Sequence, residues 1–249
     1  MKLTFKQIAA AAMFVATGVA QAAPITLTVN DTWNGLTASG SATLSFSADL
    51  LGALDTGKIA LANYGAATST ITKDSDGFYT SASAAAPGTA ITFDDTSLQV
   101  LGVATTGGMT LTAPVVKSVS SGGSLVVTNL SANLTNKTIY ATIIGGNGVG
   151  TINNFALWNF ATLTGGTTIQ GPGTYNNTIS GLSLTTDGFN KFSQALGLLS
   201  LGKSAMAGIT DYGTISSTIV ATAVPEPTTY ALMGLGLVGI FAASRRRAA

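Results

Sequence analysis

Between residues 24 and 223 the chain is built from short runs in which an apolar side chain alternates with Ser or Thr. They read ITLTV (25–29), SATLSFSA (41–48), AITFDD (90–95), SLQVLGVA (97–104), GMTLTAPVV (108–116), SLVVTNLSANLT (124–135), KTIYATII (137–144), TISGLSLTT (178–186) and GTISSTIV (213–220). Successive side chains of a strand point to opposite faces, so a period of two marks half-buried strands. SGG, GGNG, TGG and GPG lie between runs and supply the backbone freedom of turns. Strands this dense predict a mainly β body, an antiparallel β-sandwich or barrel-like sheet.

Two stretches break the pattern and predict one short helix each. Phe46–Leu54 (FSADLLGAL) places Leu50, Leu51 and Leu54 at helical spacing. Thr186–Leu201 (TDGFNKFSQALGLLSL) puts Phe189, Phe192, Leu196 and Leu199 on one helical face.

Charge is scarce, 8% of residues against about 25% in an ordinary globular chain. Residues 23–223 carry six lysines against nine aspartates, a net charge of −3, and so no basic face for nucleic acid. The chain has no His and no Cys, which removes a Ser/His/Asp triad, a Cys nucleophile and the usual transition-metal ligands. Asp94-Asp95 is the one adjacent acidic pair, and neighbours on a strand face opposite ways. Asp74, Asp76 and Gly77 resemble the middle of a calcium loop, but Thr72 and Ser83 stand where its first and last ligands belong; an Asp-Ser-Asp-Gly turn serves equally. No enzyme activity, metal or cofactor is expected.

The N-terminus reads as an export signal. Lys2 and Lys6 precede an apolar stretch from Ile8 to Ala20, and Ala20-Gln21-Ala22 is a small-x-small cleavage pattern that puts the cut before Ala23. The Sec machinery and signal peptidase are therefore expected partners. The 201-residue body at 23–223 is long enough to bury a core without disulfides, as one β domain or two.

The last segment, 224–249, is the most specific. Val224-Pro225-Glu226-Pro227 holds the only glutamate of the chain, and 17 uncharged residues follow at 228–244 before Arg245, Arg246 and Arg247. As a helix the apolar run spans about 26 Å, at the short edge of what crosses a bilayer. Gly234, Gly236 and Gly239 weaken it by about 1 kcal/mol each, which suits temporary retention. The arginines would remain cytoplasmic, as a stop, with the body outside. The order of triplet, apolar helix and arginine block resembles the PEP-CTERM sorting signal of Gram-negative bacteria. That resemblance implies processing by exosortase, a membrane enzyme for which Val224, Pro225, Glu226 and Pro227 would be the recognition site. It also implies association with exopolysaccharide and biofilm matrix.

For the body, candidate ligand-contact aromatics are Trp33 and Trp158, with Tyr79 and Tyr175 beside them, since an exposed ring on a β scaffold stacks on sugars. TINNFALWNFATL (151–163) reads equally as a buried strand or helix. The expectation is an exported structural or interaction protein of the cell surface or matrix, binding exopolysaccharide or its own copies. The alternative is a carbohydrate-binding surface module.

Overall fold

The computed structural model describes residues 24–224, 231–238 and 240. The expected signal helix, the cleavage residues Ala20, Ala22 and Ala23, the triplet Pro225–Pro227 and the block Arg245–Arg247 lie outside the described residues, as does part of the apolar run 228–244.

The period-two runs form strands. β1 (Pro24–Thr28), β2 (Thr32–Trp33) and β3 (Leu36–Phe46) come first, then α1 (Ala48–Thr56). β4 (Ala60–Tyr64), β5 (Thr68–Lys73), β6 (Tyr79–Asp94), β7 (Val100–Thr105) and β8 (Gly108–Val116) follow. β9 (Ser120–Asn133), β10 (Thr138–Gly145), β11 (Gly150–Gly165) and β12 (Gly173–Leu184) lead to α2 (Thr186–Ala195), α3 (Ser200–Ala207) and β13 (Gly213–Ala223). All 13 strands belong to one antiparallel sheet.

Of the two predicted architectures the pairing is that of a barrel. β3, β13, β12, β11, β10 and β9 are neighbours in that order. β7 pairs β9 through Gly102–Ala104 against Ser131–Asn133, and pairs β6 along Gly88–Phe93. β6 in turn pairs β3 through Ser83–Pro87. The ring β6-β3-β13-β12-β11-β10-β9-β7 therefore returns to its start. β1 and β5 add to β6, β2 to β3, and β8 with β4 to β9.

The long strand β6 makes this possible by changing partners. Its first half pairs with β5 as far as Ala85 and its second half with β7 from Gly88. Pro87, which has no N–H to give to a ladder, sits in the step between them. Gly40 on β3 is required where the strands crowd, because a Cβ there would collide with the Thr218 carbonyl oxygen.

Both predicted helices are present, each started by a side-chain cap. Ser47 Oγ accepts from Leu50 N at 3.1 Å for α1, and Thr185 Oγ1 accepts from Gly188 N at 2.8 Å for α2. Leu50, Leu51 and Leu54 are buried as their spacing requires. The second helix is not continuous to Leu201. It stops after Ala195, and Gly197 takes φ +61°, a left-handed turn that glycine adopts freely. There the Leu196 carbonyl accepts from Ser120 Oγ at 2.8 Å, and the Gly197 carbonyl accepts from Ser121 N at 2.8 Å. Pairing with β9 outweighs one more helical turn, so Leu199 leaves the buried face and is 40% exposed. α3 was not predicted.

The main apolar cluster, which includes Leu54, Ile139, Leu157, Leu182 and Leu196, fills the barrel and its helix-covered end; a second, around Ile91, Phe93 and Ile219, lies under β1. Among the described residues every strand pair and both clusters fall within 24–224, so this segment holds the contacts of its own fold.

Tyr212, 4% exposed, donates its hydroxyl to the Met206 carbonyl at 3.0 Å, and burial pushes its pKa up from 10.0 to about 12. The folded chain thus keeps this phenol neutral in a range where the unfolded chain ionises it. That contribution is intact below pH 10 and lost as pH rises towards 12, about 2 kcal/mol of it by pH 11.5. Urea unfolding at pH 9 and 11.5 is expected to show the loss, and Tyr212→Phe to flatten the alkaline slope by that amount.

Candidate functional site

Two regions carry the functional candidates: the junction of barrel and tail, and the barrel interior. At the junction, β13 pairs with β3 down to Ala223 opposite Leu36, and Val224 N donates to the Gly35 carbonyl at 2.7 Å. Val224 is therefore held by the barrel, and Pro225, which cannot extend a ladder, follows immediately. Residues 231–238 are helical, with Leu232, Met233, Leu235, Leu237 and Val238 exposed. Among the described residues no helix is long and apolar enough to cross a membrane.

Residues 223–247 match the family model described as the PEP-CTERM protein-sorting motif. The chain carries a PEP-CTERM sorting signal. A PEP-CTERM signal implies export, a membrane-anchored precursor and processing by exosortase. No curated protein and no solved structure matches the chain. The PEP-CTERM match covers the tail alone and leaves the barrel without a family.

The acidic candidates are occupied with local backbone. Asp94 Oδ1 accepts from Ser97 N at 2.7 Å, Ser97 Oγ at 3.0 Å and Thr96 N at 3.0 Å. These bonds, the Ser97 amide foremost, hold its pKa below the ordinary carboxylate value, so it is an anion that caps a turn. Asp74 Oδ1 accepts from Phe78 N at 2.9 Å and Asp76 N at 3.0 Å in the β5–β6 hairpin. Among the described residues no three acidic, His or Cys side chains cluster as a metal site would need.

The aromatic candidates are also engaged. Trp33 is half-buried and edge-on to Phe93, with ring centroids 4.6 Å apart. Tyr79 donates to the Ile59 carbonyl at 3.0 Å and accepts from Leu61 N at 3.2 Å. Tyr175 donates to the Gly171 carbonyl at 2.9 Å and pins that loop. Trp158 belongs to β11, so 151–163 is a strand, and its ring is 5% exposed inside the barrel. A ring so placed offers no platform to a sugar arriving from outside.

The interior cavity was not expected from sequence. It measures about 80 Å³ and is lined by Trp158, Asn177 and small apolar side chains including Ala84 and Ala86. A signal was present in SASAAAPG (81–88), where Ala82, Ala84 and Ala86 alternate inward and leave space that larger residues would fill.

Because the barrel ends at the last rung before Pro225, a chain stopped after Val224 is expected to keep the full melting temperature of the body. One stopped before Gly213 lacks a ring strand and is expected to lose cooperative unfolding; circular dichroism melts check both.

Proposed function

We propose that the protein is a structural or interaction component of the cell surface or extracellular matrix, delivered by exosortase cutting beside Pro225–Pro227. Sec export and signal-peptide removal before Ala23 come first; the apolar segment and Arg245–Arg247 then hold the precursor in the membrane until the cut. The observation that carries this reading is the sorting motif joined without a linker to the final strand of the barrel.

Two features of the barrel support a matrix role over catalysis. Its outward positions are hydroxyl- and amide-rich, as at Thr151, Asn153, Asn159, Thr162 and Thr164 on β11, the reverse of a membrane barrel with an apolar lipid face. The peripheral strands β1, β2, β4 and β5 carry one charged side chain among them, Lys73, so charge guards these edges poorly against pairing with other chains. A carbohydrate module would need an exposed aromatic platform, and both tryptophans face apolar neighbours. Exopolysaccharide contact would instead run through the hydroxyl-rich outer face.

Glu226→Ala combined with Pro227→Ala is expected to leave the precursor uncut and in the membrane fraction with the barrel folded. Unchanged release of this double variant into the medium would refute exosortase processing at the triplet. For the body, residues 23–224 are expected to form oligomers or fibrils on concentration; a strict monomer in sedimentation at high concentration counts against self-assembly through the strand edges.

A further inference from the structure

The cavity inside the barrel is apolar along its length and yet holds two polar atoms without partners. Trp158 Nε1 has no acceptor and Asn177 Oδ1 has no donor. Both belong to residues more than nine-tenths buried, 5% and 7% exposed, and both line the same cavity. A buried polar group without a partner is costly, and natural folds rarely keep two along one cavity. Ser69 Oγ and Ser193 Oγ are also buried without partners, but neither lines this cavity, whereas Ser120, Tyr175 and Tyr212 are satisfied.

Position gives these atoms a geometry. Trp158 pairs with Leu184 across β11 and β12, and Asn177 lies seven residues earlier on β12, about 23 Å away at 3.3 Å per residue. Trp158 is thus near the end covered by α2, where Phe192 also lines the cavity, and Asn177 is towards the other end beside Ser217. Between them the wall is Leu44, Ala84, Ala86, Ala132, Leu163 and Ile179.

Size and charge narrow what fits. One water centre needs roughly 10–15 Å³, so about 80 Å³ admits a file of about six small groups. Water would find few partners along such a wall, and an apolar cavity stays dry or takes an apolar guest. No charged side chain lines it, so an ionised head group would be stranded.

We propose that the barrel binds a slender, uncharged aliphatic molecule whose terminal hydroxyl or carbonyl oxygen accepts a hydrogen bond from Trp158 Nε1. The site depends on the ring alone and exists whether or not the tail has been cut.

The probe is 1-hexanol, titrated into residues 23–224 while the two indole N–H resonances are followed in a nitrogen-edited proton spectrum, with Trp158→Phe identifying the Trp158 signal. The expected result is a saturable downfield shift of the Trp158 resonance with the Trp33 resonance unmoved, and at least tenfold weaker binding of hexanoate at pH 8. Ala86→Leu, or Ala132→Leu on another strand of the wall, fills the space and is expected to weaken hexanol binding at least tenfold. A wild-type titration with no saturable Trp158 shift overturns the proposal, as does hexanoate binding equal to hexanol. A folded cavity-filling variant with unchanged affinity overturns it too.

Discussion

Three residue pairs hold the architecture together: Gly102, Val103 and Ala104 of β7, set against Asn133, Ala132 and Ser131 of β9. Without them the strands from β6 round to β9 would be an open sheet with two long edges. With them each strand of the ring has a neighbour on both sides, and the inward side chains are shut away from water. Gly102 reflects the tightness of that contact, because a Cβ on it would stand 2.9 Å from the Ala132 carbonyl oxygen. Everything functional inside the body, from the burial of Trp158 to the apolar cavity beside it, depends on this closure.

Closure also accounts for how a chain with so little charge and no cysteine is held. Many of its Asp and Asn side chains act locally, at turns: Asp31 accepts from Thr28, Asp94 from Ser97, Asn133 from Thr135 and Asn136. Each satisfies backbone amides at a loop and leaves the ladders to the main chain. Asn129 and Asn154 take positive φ within β9 and β11, which relaxes ladders that would otherwise be too straight to bend round a ring. Ser and Thr on the outer face then supply hydration without charge.

Much of this was legible in the sequence where local signals agreed with tertiary need. GMTLTAPVV is β8 to the residue, GTISSTIV opens β13, and the spacings of Leu50, Leu51 and Leu54 and of Phe189 and Phe192 mark α1 and α2. β4 and the first half of β6 were hidden because ALANY and SASAAAPG are alanine-rich and weak in strand propensity; they are strands because barrel neighbours supply the ladder. The break at Gly197 was hidden for a related reason, since the 3.6-residue spacing of Phe189 to Leu199 is blind to the β9 partners waiting at Ser120 and Ser121. The tail could be read because a linear motif carries its meaning in order and spacing. The interior could not, because alternation says which side chains turn inward and nothing about which polar atoms meet there.

The order of the chain gives the sorting tail a further physical consequence. β13 stands between β12 and β3 in the ring, and its partner β3 lies near the start of the barrel, well over a hundred residues away. Such non-local pairing is slow to form, because the loop entropy is lost before the contact is gained. The ring cannot close until Ala223 has emerged from the membrane, and the residues that follow are those of the sorting signal. A tail that anchors the precursor therefore keeps the chain at the membrane surface during the interval when β3 and β12 still present open edges. The sorting motif begins directly after the last rung, at the end of a strand that is already paired once the ring has closed.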